Sequence, residues 1–169
     1  MEPKRSVLKN YEFVSSNGIP CSLGFGAYGS VQLGRDLKTG ETVAIKKINR
    51  KMAVNEVEVH MKLNHPNIIK MFDYAYDEKT TTTYIVLEYA ENGTLFDYVR
   101  EHGLKDKCMM RGIYNSVCDA IDYMHSMNIM HRDIKVLLVL FSSQKIFYSI
   151  GRTLSNFAIL DLLPTASPG

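Results

Sequence analysis

The sequence predicts an α+β fold in which an antiparallel-sheet half is followed by a helical half, and three observations carry that prediction. Up to Tyr89, apolar and polar residues alternate between turn signals, as in half-buried strands. From Leu95 onward the apolar spacing changes to the period of an α-helix. Within the sheet half one segment, starting at Ala53, carries Val54, Val57 and Met61 at i, i+3 and i+7, which places a single helix among the strands.

Ser30 to Gly34 reads as a strand, Asp36-Leu37-Lys38-Thr39-Gly40 as a turn and Thr42 to Ile48 as the returning strand, so the three make an antiparallel hairpin. The helix from Ala53 stops before His65-Pro66-Asn67. Ile68 to Tyr74 and Thr83 to Tyr89 are two further strands around Asp77 to Thr82, whose threonine run is a solvated turn. Past Glu91-Asn92-Gly93, helices are expected over Leu95 to His102 and Lys107 to Met127, the second with Ile113, Val117, Ile121 and Met124 on one core-facing stripe. The composition shifts after Lys135: Val136 to Phe141 are all apolar, and the rest of the chain to Gly169 holds one acidic residue, Asp161. No internal repeat is present.

With 46% apolar and 22% charged residues, the 169-residue chain has the balance of a globular protein. A formal net charge of +2 supplies no field that would favour nucleic acid or a membrane surface as the main partner. Lys4, Arg5 and Lys9 are not followed by an apolar stretch of signal-peptide length, and no run approaches the ~20 apolar residues that span a bilayer. An intracellular protein, cytoplasmic or nuclear, is expected. Cys21, Cys108 and Cys118 are odd in number and widely spaced, which argues against a disulfide framework or a zinc site.

Three short motifs carry chemistry. Gly24-Phe25-Gly26-Ala27-Tyr28-Gly29-Ser30-Val31 places three glycines where a chain turning between strands lets backbone N–H groups approach phosphate oxygens. A dinucleotide-binding reading fails, because the residues after the loop alternate as a strand and open no helix. Val43-Ala44-Ile45-Lys46 lies on the returning strand, where period-2 geometry puts Ala44 and Lys46 on one face and Lys47 on the other. A sheltered lysine needs a carboxylate, and Glu56 on the following helix is the candidate, with Glu58 on the solvated side. His131-Arg132-Asp133-Ile134-Lys135 offers a carboxylate to accept a hydroxyl proton and an ammonium to meet phosphate charge.

Each motif alone fits a bland turn, strand or loop; their succession does not. Glycine loop, Val-Ala-Ile-Lys, helix glutamate, His65-Pro66-Asn67 and His131-Arg132-Asp133 in this order resemble the protein kinase family over residues 20–135. Lys135, two places after Asp133, is similar to the serine/threonine class, and Gly93-Thr94-Leu95-Phe96-Asp97-Tyr98-Val99 is similar to the AMP-activated and calcium/calmodulin-dependent group. The resemblance implies a two-lobed fold, with an antiparallel-sheet small lobe bearing one helix, then an incomplete helical lobe. It also implies ATP as ligand, magnesium as the family's metal, and transfer to serine or threonine hydroxyls of a protein substrate. In residue terms it places Leu23, Gly24, Phe25, Gly26, Ala27, Tyr28, Gly29, Ser30 and Val31 over the nucleotide. Lys46 meets the α and β phosphates and pairs with Glu56. Val31 and Ala44 pack on the adenine, Leu87 is the gatekeeper, and Glu88 to Ala90 form the hinge. Asp133 is the catalytic base and Lys135 its phosphate-facing neighbour. The implied division is an extension over 1–10, a kinase domain over 11–135 with its small lobe to about residue 90, and a divergent tail over 136–169.

The departures are as specific as the matches. The family places an asparagine ligand for magnesium five residues after the catalytic aspartate, where this chain has Leu138. Its Asp-Phe-Gly slot holds Gly151-Arg152-Thr153, although Leu154-Ser155-Asn156 just beyond is similar to the Leu-Ser-Asn that often follows that motif. There is no Ala-Pro-Glu, and the ten-residue step from Lys46 to Glu56 is shorter than the family usually has. Two accounts fit: a degenerate kinase that serves as a nucleotide-binding scaffold, or a truncated product whose tail after Lys135 comes from altered splicing, reading frame or gene prediction. The expectation for this form is impaired catalysis with no metal ligands.

Overall fold

The computed structural model describes residues 8–26, 29–49, 56–103, 106–130, 139–141, 146–148 and 155–156. Its strands are β1 (Tyr11–Phe13), β2 (Ser15–Ser16), β3 (Ile19–Pro20), β4 (Ser22–Gly26), β5 (Gly29–Asp36), β6 (Thr42–Asn49), β7 (Met71–Asp77), β8 (Thr82–Glu88), β9 (Ile129–Met130), β10 (Val139–Phe141), β11 (Ile146–Tyr148) and β12 (Ser155–Asn156). Residues 56–60 are helical and are called α1; α2 is Leu95–His102 and α3 is Lys107–Ser126.

The main sheet is antiparallel throughout, in the order β1-β5-β6-β8-β7, with β4 paired along β5 beyond β1. Its centre is the hairpin expected from sequence. The Asp36 carboxylate accepts the backbone N–H of Lys38 at 2.8 Å, and Gly40 takes φ 76°, a left-handed conformation that glycine adopts without strain. The small β2–β3 hairpin turns through Asn17 (φ 52°) and Gly18 (φ 78°), the pair of positive φ angles that matches strand twist.

Burial divides the sheet into two faces. On one, Val43, Ile45 and Val86 are covered by Leu8 and Tyr11 from the start of the chain. On the other, Ile48 and Ile85 pack against Val57 of α1. A third cluster joins the halves of the molecule: Val59, Leu63 and Ile68 from α1 and the chain after it meet Leu95, Ile113, Ala120, Met124 and Ile129. The loop after α1 is fixed there by polar contacts as well. The Tyr123 hydroxyl of α3 accepts the Asn64 N–H at 3.0 Å, and the His65 ring stacks on Tyr123 at 5.0 Å between centroids. Both longer helices are capped, α2 by Thr94, whose hydroxyl accepts from the Asp97 N–H, and α3 by Asp106, which accepts from the N–H groups of Cys108 and Met109.

The expected helices at 95–102 and 107–127 are found within one residue, and Ile113 and Met124 of the expected stripe are buried. Met61 departs from its expected place: the helical residues stop at His60, so Met61 leaves the inward face and is 61% exposed. Strand β7 starts at Met71, three residues later than expected, because Ile68 makes only an isolated bridge in the loop. Among the described residues after Met130, β10 and β11 form a hairpin, and β12 pairs with β9 through Ser155↔Met130 and Asn156↔Ile129.

Candidate functional site

Strands β4 and β5 close on each other through Gly24↔Val31, Phe25↔Ser30 and Gly26↔Gly29, so the glycine loop is the tip of a hairpin at one end of the sheet. Phe25 is 81% exposed and Leu23 is also exposed. Ala27 and Tyr28 lie outside the described residues. The glycines of the loop have different reasons to be glycine. At Gly29 a Cβ would lie 1.9 Å from the Lys47 carbonyl oxygen, so the β5–β6 pairing itself forbids a side chain. At Gly24 a Cβ would meet nothing within 4 Å; the fold leaves that space open.

Directly paired residues of antiparallel strands share a face. The registers Val31↔Lys46↔Ile85 and Leu33↔Ala44↔Leu87 therefore put Val31, Ala44, Lys46 and Leu87 together beneath the loop, on the face that α1 covers. Glu56, the first described residue of α1, points back into this face, and its Oε1 accepts from Lys46 Nζ at 2.5 Å. The lysine side chain is 19% exposed and the glutamate 4%, so the pair is sheltered from the water and salt that weaken surface ion pairs. The shortened step between the two residues does not prevent their pairing.

Glu88 ends β8 at the opening to the helical half. Its N–H donates to the Lys70 carbonyl at 2.8 Å, which fixes the strand end against the chain before β7, and the Ala90 carbonyl accepts from Gly93 N–H at 3.4 Å. Asp133 and Lys135 lie outside the described residues, as do His131, Leu138 and Gly151. The described neighbours β9 and β12 bracket them: β9 ends at Met130, one residue before His131, and β12 begins at Ser155, two residues after Thr153. Antiparallel pairing sets Ile129 and Met130, which precede the motif in sequence, beside Asn156 and Ser155.

Among the described residues no three His, Cys, Asp or Glu side chains converge as a metal site. At the positions that the family resemblance assigns to magnesium, Leu138 and Gly151 carry no side-chain oxygen, a set that does not fit a hard divalent cation.

Sequence reasoning missed His60. One turn after Glu56 on the same inward face, it is 2% exposed; its Nε2–H donates to the Ile69 carbonyl at 2.7 Å, and its Nδ1 is buried without a hydrogen-bond partner among the described residues. Burial pushes its pKa below the ordinary value, with Lys46 acting in the same direction, while the Ile69 carbonyl and Glu56 oppose the shift. The i, i+4 spacing from Glu56 was the available signal.

The protein kinase domain family matches residues 20–151. This chain belongs to the protein kinase family. It is 40% identical over 132 residues to the serine/threonine-protein kinase PLK4 of Nematostella vectensis, covering 72% of this chain and 13% of that protein. Identity is 35% over 122 residues to an Aurora kinase of Saccharomyces cerevisiae (67% of this chain, 33% of the relative). It is 38% over 133 residues to the probable serine/threonine-protein kinase MARK-C of Dictyostelium discoideum (72% and 17%). The chain thus spans a third or less of the length of these relatives. The crystal structure of Rad53 1-466 in complex with AMP-PNP superposes with a TM-score of 0.75 at 30% identity, over 87% of this chain and 40% of that one. Among the described residues no helix is long and apolar enough to cross a membrane.

Proposed function

We propose that this chain is the nucleotide-binding part of a serine/threonine protein kinase, that it holds ATP beneath the glycine loop, and that this form transfers phosphate poorly. The observation that carries the reading is the Lys46–Glu56 pair, closed and sheltered on the cleft face beneath the glycine loop. In this reading Lys46 meets the α and β phosphates, Leu23 to Val31 cover the nucleotide, Val31 and Ala44 pack on the adenine, and Glu88 and Ala90 offer it backbone groups. The solved relative in complex with AMP-PNP, an ATP analogue, supports the ligand class. Asp133 and Lys135 take the base and phosphate-neighbour roles by position in the motif.

Poor transfer follows from electrostatics. Phosphoryl transfer rests on positioning and on cations that neutralise the γ-phosphate, and Leu138 and Gly151 supply no metal ligand. The same two residues favour a second reading, a nucleotide-binding scaffold without catalysis.

Thermal unfolding with and without ATP tests the binding. At about a hundredfold excess over Kd, ligand linkage is worth ~2.7 kcal/mol, a rise of about 5–10 °C in Tm for a domain of this size. Added magnesium should change the rise little, and Lys46→Ala should abolish it; equal shifts in both proteins, or none in either, would remove the nucleotide site. A radiolabelled transfer assay against Asp133→Ala then separates the two readings. Impaired transfer leaves a small signal that Asp133→Ala removes, a scaffold gives background in both, and robust Asp133-dependent transfer would show that the metal positions have been misread.

A further inference from the structure

A buried histidine beside a functional ion pair calls for an explanation that packing alone does not supply. His60 could be any apolar residue of its size if it only filled the space between α1 and the chain before β7. Instead it is polar, 2% exposed, and bonded through one nitrogen to the Ile69 backbone. A carbonyl oxygen can only accept, so Nε2 carries a proton, and a buried Nδ1 with no partner among the described residues favours the neutral Nε2–H tautomer. Ile69 is itself 2% exposed and lies two residues before β7, an edge strand of the sheet. The bond therefore ties α1 to a fixed part of the sheet half. Glu56 sits one turn earlier on the same helix and reaches Lys46 only while α1 keeps that placement.

We propose that His60 is a positioning residue for the nucleotide site: in its neutral form it clamps α1 to the Ile69 carbonyl and so holds Glu56 against Lys46, and protonation of its ring releases the clamp. The effect on the ion pair follows from the charges around the ring. The groups that act on it are Glu56 from its own helix and Lys46 from β6, and the chain before β7 presents the Ile69 carbonyl. An imidazolium would add a second positive charge in the neighbourhood of Lys46, and would bury an Nδ1–H donor with no acceptor among the described residues, a cost that opening of α1 relieves.

The direction of the pH dependence is fixed by burial, which lowers the folded-state pKa below the unfolded value of 6.5. Above that value both states are neutral and the clamp is intact. As pH falls below it the unfolded or opened state takes up the proton first, so stability of the closed α1 is lost progressively down through the folded pKa.

The test compares the 169-residue chain as wild type, His60→Leu and His60→Gln by hydrogen exchange in the peptide holding residues 56–60 and by calorimetric titration with ATP. Leucine keeps bulk and loses the donor, whereas glutamine places an N–H near the Nε2 position and cannot titrate. At about pH 7.5, His60→Leu should exchange faster in that peptide and bind ATP about fivefold more weakly, the equivalent of one lost hydrogen bond, and His60→Gln should restore both to within about twofold. At about pH 5.5 wild type should lose α1 protection relative to His60→Gln at the same pH, a readout that a space-filling role would not move. Equal protection of wild type and His60→Leu at the higher pH, or parallel loss in wild type and His60→Gln at the lower, would overturn the proposal. The ATP readout rests on the function proposed above. Absence of ATP binding in all three proteins would sink that function alone, because exchange needs no nucleotide. Should His60→Leu fail to fold, the comparison of wild type with His60→Gln across pH still decides the matter.

Discussion

Lys46 and Lys47 are consecutive residues of β6, and alternation sends their ammonium groups to opposite faces of one sheet. Lys46 meets the Glu56 carboxylate beneath the glycine loop. Lys47 lies over aromatic rings on the other face, its Nζ 4.3 Å from the Phe13 centroid and 5.9 Å from that of Tyr84. Burial lowers the Lys47 pKa below its ordinary value. One lysine is thus held as part of a directional pair with a full opposite charge. The other covers an apolar surface with its stem and finds a diffuse partner in ring quadrupoles. Residue type is the same; the face decides which partner each ammonium group meets.

The largest effect that would sharpen this contrast is expected at Glu56. Breaking a sheltered ion pair by removing one partner leaves an uncompensated charge, and Glu56→Ala should lower stability by about 3 kcal/mol, the low end of the range because Lys46 keeps some access to water. Urea unfolding measures it, and the same variant should reduce the ATP-induced rise in Tm. A Glu56→Ala protein as stable as wild type, with the full rise, would mean that the pair contributes neither to the fold nor to the site.

The contrast between the lysines was legible before any coordinates, because period-2 geometry needs only the strand, and the strand was marked by Val43-Ala44-Ile45 and the turn before it. The Glu56 pairing was legible as a requirement, since a sheltered ammonium needs a carboxylate. What lay on the far face was not. Tyr11 and Phe13 cover that face from a strand of three residues, with Leu8 from the chain before it, and a strand so short carries too little periodic signal to assign the partners of Lys47. His60 was missed for a related reason: a lone histidine gives no hydrophobic period, and only its spacing from Glu56 marks it as inward-facing. Beyond Met130 the apolar run Val136 to Phe141 could be noticed but not placed, because its strand pairs with Ile146–Tyr148 across residues of no distinctive turn chemistry. Ser155 and Asn156, the described part of the Leu154-Ser155-Asn156 likeness, form β12, which pairs with β9.

The smallest expected effect lies at Lys47, and it is the one that breaks the comparison if it fails. Lys47→Ala removes a cation–π contact at a partly exposed site, worth about 0.5–1 kcal/mol, together with some cover over Phe13 and Tyr84. Urea unfolding should show a loss of that size. Because the side chain points away from the glycine-loop cleft, the ATP-induced rise in Tm should equal that of wild type, whereas Lys46→Ala loses it. Lys47→Met makes the test stricter: it keeps an unbranched apolar stem over the rings and removes only the charge, so its stability should fall between wild type and Lys47→Ala. If either Lys47 variant lost the ATP response, the outer face would be coupled to the site through β6, and period-2 separation of the two lysines would not be enough to explain their roles.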